Sequence, residues 1–412
     1  MEHYTFDQCA SDFPALARTI EGQSLVFLDG PGGVQVPESV IDAISHYYQT
    51  SNANTHGYFI TTKETDEVLN QARQDMADFL GAQSPDTISF GQNMTTLNFS
   101  LTKALARHLP AGCEILITQL DHEANRGPWL RMRDEGFLVR EVKLKPDGRL
   151  DYEDFKEKIG PQTGLVAVGY ASNALGTIND VATIQNWCQQ AGALMVVDAV
   201  HYAPHFSIDV QALGCDFLMC SAYKFYGPHV GILYSRPGLL DQLDPDRLIT
   251  QDQHAPYHIE TGTLNHAALA GVSAAVDYLA QFGSGPSKKT KLRSAMSALQ
   301  AYEYDRVTQL YHGLSNIDGL TVVGPPLEPE WHTPTLGFTL DGYTPAQVCT
   351  YLGERQICAW DGHFYALRAI EVLGLLDRGG VTRMGISMYT SAEDIERTLE
   401  AVGALATNKV EH

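Results

Sequence analysis

The stretch Asp216-Phe-Leu-Met-Cys-Ser-Ala-Tyr-Lys-Phe-Tyr-Gly-Pro228 sets a single lysine, Lys224, just past an apolar run. The run has the composition of a buried strand, and Gly227-Pro228 ends regular structure. A lysine in such a turn is either a surface charge on an apolar stem or an amine in a desolvated pocket, where its pKa falls and it can form a Schiff base. Upstream, Gly192-Ala-Leu-Met-Val-Val-Asp-Ala-Val-His201 is a second apolar run, and it ends in an acid, Asp198. In open parallel sheets the C-terminal ends of strands face the ligand crevice. A lysine and a carboxylate at two such ends suit pyridoxal 5'-phosphate (PLP). The amine carries the aldehyde, and the acid keeps the ring nitrogen protonated so that the ring accepts electrons.

A phosphate would need its own cradle. Thr87-Ile-Ser-Phe-Gly-Gln-Asn-Met-Thr-Thr-Leu-Asn98 runs from a strand through Gly91 into a helix whose first turn holds Asn93, Met94 and Thr95. Free N–H groups and the helix dipole favour an anion there, with polar side chains as further donors; plain N-capping by Asn93 is the other reading.

The elements that must position these residues follow in order. A short strand near residue 26 ends in a glycine turn at Asp29 to Gly33, and Pro37 opens a helix. An amphipathic helix carries Val68, Leu69, Ala72, Met76, Phe79 and Leu80 on one face and stops at Gly81. Strands are expected at 113–118 and 164–170, with a crossover helix over 184–190 leading to the Asp198 strand, a βαβ unit. A helix over 267–282 precedes Gly283-Ser-Gly-Pro-Ser-Lys-Lys289, the one break in composition. Beyond it, strands at 320–323 and 335–340 and a helix over 345–352 suit a smaller α+β domain. The expected organisation is an α/β chain with an N-terminal arm at 1–26, a large cofactor-binding domain at 27–284 and a small C-terminal domain at 285–412.

The chain has 412 residues, with 28 basic against 49 acidic side chains and a net charge of -21. That balance makes nucleic acid or an anionic membrane an unsuitable partner. No apolar run approaches the roughly 20 residues of a membrane helix, and no signal pattern opens the sequence, so a cytoplasmic protein is expected. The seven cysteines are scattered and lie mostly in apolar runs, which argues for buried thiols over a disulfide framework or a zinc site. His201 with His205, and His254 with His258, are spaced by four, but a proline stands inside each pair. No metal site is expected.

Ser221-Ala-Tyr-Lys-Phe-Tyr-Gly-Pro228 matches the pattern Ser-x-His-Lys-x-x-Gly-Pro, with Tyr223 in place of histidine. On this and the Asp198 run the chain resembles the class V aminotransferase family, the cysteine desulfurase-like branch of fold-type I PLP enzymes, over nearly its whole length. The resemblance implies a large domain with a mostly parallel sheet flanked by helices, PLP as cofactor and a homodimer. It places His122, from Asp121-His-Glu-Ala-Asn125, over the pyridine ring, where an imidazole can also shuttle protons. It sets Asn173 and His201 beside the ring oxygen, with His201 in the place of a glutamine. Asn93 and Met94 correspond to a threonine pair that meets the phosphate, with Thr95 as the alternative side-chain donor and Ser221 beside them. Gly262 and Thr263 correspond to a motif that reaches the neighbour's phosphate across a dimer interface. Arg383, in Val381-Thr-Arg-Met-Gly-Ile-Ser-Met-Tyr-Thr390, falls on the arginine that binds the substrate α-carboxylate, and a guanidinium fork suits that anion. The loop that holds His56 lies at the mouth of the site in related proteins.

One departure bears on the reaction. Cysteine desulfurases carry a persulfide-forming cysteine on a loop that corresponds to Trp360-Asp-Gly-His-Phe-Tyr-Ala366, which has His363 and Tyr365 but no thiol. Cys358 precedes the loop in a strand-like segment. The resemblance therefore implies a PLP enzyme that deprotonates Cα of a small amino acid, with β-elimination of a sulfur amino acid first and sulfur leaving as sulfide or a small thiol. His363 or His122 is the candidate acid. Transamination, epimerisation and a PLP-binding scaffold without catalysis remain open alternatives.

Overall fold

The computed structural model describes residues 5–407; the first four residues of the expected N-terminal arm and the last five of the expected C-terminal domain lie outside them. Seven strands form the main sheet: β1 (Ile88–Gly91), β2 (Glu114–Thr118), β3 (Leu138–Val142), β4 (Thr163–Gly169), β5 (Leu194–Asp198), β6 (Phe217–Ser221) and β7 (Gly231–Ser235). Their order is β1-β7-β6-β5-β4-β2-β3. All neighbours are parallel except β7, which is antiparallel to both β6 and β1. Two reversals cancel, so β1 runs in the same sense as β6, and the C-terminal ends of β1, β2, β4, β5 and β6 share one edge.

The strands inside the sheet are apolar at nearly every position because both faces are covered, whereas the edge strand β3 carries Arg140 and Glu141 and is only partly buried. On one side Met76, Phe79 and Leu80 of the Ile60–Leu80 helix and Val272 and Val276 of the His266–Ala280 helix pack with Val166, Val168 and Val197. On the other, Leu97, Leu101 and Leu105 of the Met94–His108 helix meet Ile115, Ile117 and Phe217. Each helix starts on a side-chain cap where the sequence supplies one: Asn93 accepts from Thr96 N–H, and Asn265 from Ala268 N–H.

The smaller sheet has β8 (Leu320–Val323), β9 (Thr335–Leu340), β10 (Trp360–Gly362) and β11 (Val381–Gly385), antiparallel in the order β8-β9-β11-β10. Chain order and packing part company at two places. Val26–Phe27 pairs with Ile357–Cys358, and Leu28 is buried with Phe338 and Met384 of the smaller core. The Lys288–Ser315 helix, capped by Ser287, buries Leu292 and Leu299 against the large core and Leu310 and Leu314 against the small one. From the arm, Phe6 stacks on Phe282 with ring centroids 4.6 Å apart, and Phe13 meets Tyr226, Tyr278 and Tyr389 edge-on.

Candidate active site

A deep cavity opens at the shared C-terminal edge of the large sheet. Lys224 sits in the 3-10 turn Ala222–Lys224 that follows β6, and its side chain is buried. Its Nζ donates to the Pro31 carbonyl. Burial and the Arg383 charge push this amine down to about 7, against the pull of Asp198. Asp198, the last residue of β5, accepts from Val200 N–H at 3.0 Å. Burial raises its carboxyl to about 6, the Val200 N–H and Lys224 opposing. Acid and amine line the same cavity, as their places at two strand ends require.

His122 caps the short turn after β2, with Nδ1 accepting from Ala124 N–H at 3.0 Å. Burial, Lys224 and Arg383 bring it down to about 4, so at neutral pH it is uncharged with its proton on Nε2. The Tyr365 ring stacks on it, centroids 5.4 Å apart. His201, also buried, has Nε2 at 3.0 Å from Thr335 Oγ1 and 3.3 Å from Thr333 Oγ1, while Nδ1 has no partner. Burial and the neighbouring His205 hold it well below the usual histidine range.

At the other end of the cavity, β1 leads through Gly91 to Asn93, and the first turn of the Met94–His108 helix points at the space beside Ser221. Ser221 Oγ accepts from Met94 N–H at 3.3 Å. A Cβ on Gly231 of β7 would stand 2.3 Å from the Asn93 carbonyl carbon; only glycine lets the strand lie this close under the turn.

Arg383, on β11, is buried and reaches from the small domain toward Lys224. Its Nη1 donates to Asn173 O at 3.0 Å, and its guanidinium lies 4.0 Å from the centre of the Phe364 ring. Nε is buried without a partner. Burial lowers Arg383 to about 9, opposed by Asp29 and Tyr223, and it stays charged at neutral pH. A Cβ on Gly32 would stand 3.3 Å from Arg383 Nη2 and 2.9 Å from Trp360 Nε1, so the missing side chain keeps that edge of the fork clear. Asn173 also donates from Nδ2 to Phe364 O at 2.9 Å.

The aminotransferase class-V family profile matches residues 26–398. The chain belongs to that family. It is 31% identical over 411 residues to a cysteine desulfurase of Yersinia pestis (strain Pestoides F), an alignment covering 96% of this chain and 97% of the relative. Among solved structures it is similar to the apo cysteine desulfurase of Thermococcus onnurineus, with a TM-score of 0.86, 26% identity and 97% of each chain covered. It is likewise similar to the cysteine desulfurase CsdA (S-sulfonic acid) of Escherichia coli, with a TM-score of 0.86, 26% identity, and 99% of this chain and 100% of that one covered.

This class V chain is thus a cysteine desulfurase-like, PLP-dependent enzyme of fold type I. The cavity fits the cofactor on observations of its own. A buried amine with a lowered pKa, a buried acid, an unpartnered imidazole nitrogen and the first turn of the Met94–His108 helix all face one space. Each is costly without a ligand and each answers a different group of PLP.

Of the residues expected at the site, Asn93, Met94, Thr95, His122, Asn173, Asp198, His201, Ser221 and Lys224 line this cavity. Arg383 and His363 line the vestibule in front of it. His56, Gly262 and Thr263 do not lie there within one chain. The His56 side chain is 81% exposed and pairs with Asp66 at 3.4 Å. Thr263 shares a surface pocket with Tyr48 and Asn54, on the side of the chain that carries the His56 loop. Cys358, half-buried beside Phe27, is pushed up to about 11 by burial and by Asp29.

One residue escaped the sequence reading. Asp121 lines the cavity, accepting from Gly169 N–H at 2.8 Å and from Asn125 Nδ2 at 3.2 Å. Burial lifts it to about 7, with Asp198 adding to the rise and the Gly169 N–H opposing it. Its signal is weaker than that of Asp198, because Thr118 and Gln119 stand between the apolar run of β2 and Leu120-Asp121.

Proposed function

We propose that the enzyme is a carbon–sulfur lyase that eliminates the β-substituent of a sulfur amino acid, and that it works as a homodimer with shared sites. The observation that supports it is the pairing of a buried Lys224 amine and a carboxylate-ready Arg383 with a facing segment, Trp360 to Ala366, that offers no thiol.

In this reading Lys224 holds the cofactor aldehyde, Asp198 the ring nitrogen, and His201 Nδ1 with Asn173 the ring oxygen. The phosphate lies at the Asn93–Thr95 turn with Ser221. His122 covers the ring face. PLP supplies the electron sink for the pair left at Cα. Arg383 takes the substrate carboxylate on its Nε and Nη2 edge, held in place by Asn173 O and Phe364, and so turns the Cα–H bond toward Lys224. Lys224 Nζ, freed once the substrate amine takes its place on the aldehyde and a base near neutral pH, would take that proton. The sulfur leaves with its bonding pair and receives a proton from His363 rather than from His122, which burial keeps uncharged at neutral pH.

Support for the dimer comes from residues that have no role within one chain. Gly262 and Thr263 are exposed, Thr263 in a pocket shared with Tyr48 and Asn54, and the start of the Ile60–Leu80 helix leaves Tyr58, Phe59 and Ile60 at 97, 62 and 68% exposure. An apolar group of that size on a surface marks an interface, and a second copy would bring Thr263 and His56 to this chain's cavity. All seven cysteines are free, which suits a reducing compartment such as the cytoplasm.

The test is a panel of amino acids added to holoenzyme, with cofactor absorbance and products followed together. Pyruvate, ammonia and a thiol in equal amounts support elimination. A keto acid that keeps the substrate skeleton, or a racemised substrate, replaces this reading with transamination or epimerisation. A spectrum indifferent to every amino acid leaves the non-catalytic scaffold.

A further inference from the structure

The wall of the vestibule is held more firmly than a surface segment needs. Phe364 and Tyr365 both have left-handed backbone angles, φ 51° and 60°, uncommon for bulky side chains. The large domain pins them: Asn173 Nδ2 donates to Phe364 O at 2.9 Å and Glu123 N–H to Tyr365 O at 2.7 Å. A third bond, from Ala366 N–H to His363 O at 2.7 Å, closes the turn. Strain of this kind persists where the surroundings over-determine it, and it collects at ligand sites.

In front of Lys224 this wall bounds a vestibule of about 770 Å³. Phe99, Tyr223, Trp360, Phe364 and Tyr365 line it, and Phe99, Trp360 and Tyr365 remain 45, 52 and 67% exposed. Single exposed apolar side chains are ordinary, but several aromatic rings converging on one opening are not. The buried, unpartnered Nε of Arg383 fixes one end of any amino acid bound here, and Lys224 fixes Cα. Whatever hangs on Cβ has the remaining space. A sulfhydryl, about the size of one water, would fill only a small part of what the cofactor leaves open.

We propose that the substrate carries a large aromatic group beyond Cβ; on the lyase reading above, it is a cysteine S-conjugate and the leaving group is a bulky aromatic thiol. The step balances without an added oxidant or reductant. Lys224 takes the Cα proton, the Cβ–S bond breaks with its pair on sulfur, and the thiolate is protonated. The released three-carbon enamine reacts with water to give pyruvate and ammonia.

The experiment titrates holoenzyme with S-benzyl-L-cysteine and with L-alanine, reading the dissociation constant from cofactor absorbance and, separately, released benzyl thiol. The conjugate should bind at least about tenfold tighter than alanine, as burial of one ring implies. Trp360→Ala and, on a different element, Phe99→Ala should each bring that ratio toward one. A conjugate that binds no tighter than alanine overturns the inference, as does a ratio that survives both substitutions. A Trp360→Ala protein that loses its dimer while keeping the ratio also overturns it, since the rings would then be covered by a second copy. Tight, ring-dependent binding with no thiol released upholds the inference and refutes the lyase reading alone.

Discussion

Covalent capture of the cofactor aldehyde by apoenzyme should change little between pH 7 and pH 9. Only an unprotonated Lys224 can attack an aldehyde, so the rate follows the fraction of free amine. Burial and the Arg383 charge set that amine at about 7. Half is then free at pH 7 and nearly all at pH 9, a rise of about twofold. A lysine at its ordinary value, near 10.4, would be about 0.04% free at pH 7 and about 4% at pH 9, a rise of about a hundredfold. Arg383→Met removes the cation that helps to depress the amine and should steepen the profile. The assay is stopped-flow absorbance of apoenzyme mixed with excess PLP, with wild type and Arg383→Met compared at each pH so that ionisation of PLP itself cancels. A wild-type rate rising about tenfold per pH unit across this range would refute the desolvated-amine argument.

Further expectations follow from the same geometry. Lys224→Ala protein should yield no PLP–lysine adduct after borohydride reduction and peptide mapping; in the wild type, an adduct on any other lysine would contradict the assignment. Arg383→Ala should raise the apparent substrate constant by about 10- to 100-fold, the worth of a charged hydrogen-bonded pair, and hardly move the PLP dissociation constant; a loss of PLP affinity of the same size would place Arg383 on the cofactor. Sedimentation at micromolar concentration should give a dimer, and a monomer that holds PLP tightly would mean that the Asn93–Thr95 turn and Ser221 bind phosphate without Thr263 from a second chain.

The cavity was legible because its residues stand at strand ends, where a local pattern of apolar run, polar residue and turn marks them; Asp198, Lys224 and Asn93 are all of this kind. What was not legible depends on contacts between distant segments. His201 is bracketed by Thr333 and Thr335, more than 130 residues away, and periodicity carries no information about such pairs. The pairing of Val26–Phe27 with Ile357–Cys358 is of the same kind, as is the Lys288–Ser315 helix, whose two ends are buried in different cores. The reach of Arg383 to Asn173 and the pinned Phe364-Tyr365 turn belong to this class too. Asp121 is set by local chain, but Thr118 and Gln119 separate it from the apolar run of β2, so it lacks the run-to-acid step that marks Asp198.

On the lyase reading, sulfur leaves this enzyme without passing through an enzyme-bound persulfide. The most direct test is intact-protein mass spectrometry of holoenzyme incubated with L-cysteine and with S-benzyl-L-cysteine, without reductant, beside product analysis of the same samples. An unmodified protein mass, thiol or sulfide in solution, and turnover unchanged in Cys358→Ser are expected, because Cys358 lies half-buried with its thiol pushed up to about 11 and so holds little thiolate. A stable persulfide on Cys358, lost together with turnover in Cys358→Ser, would contradict it.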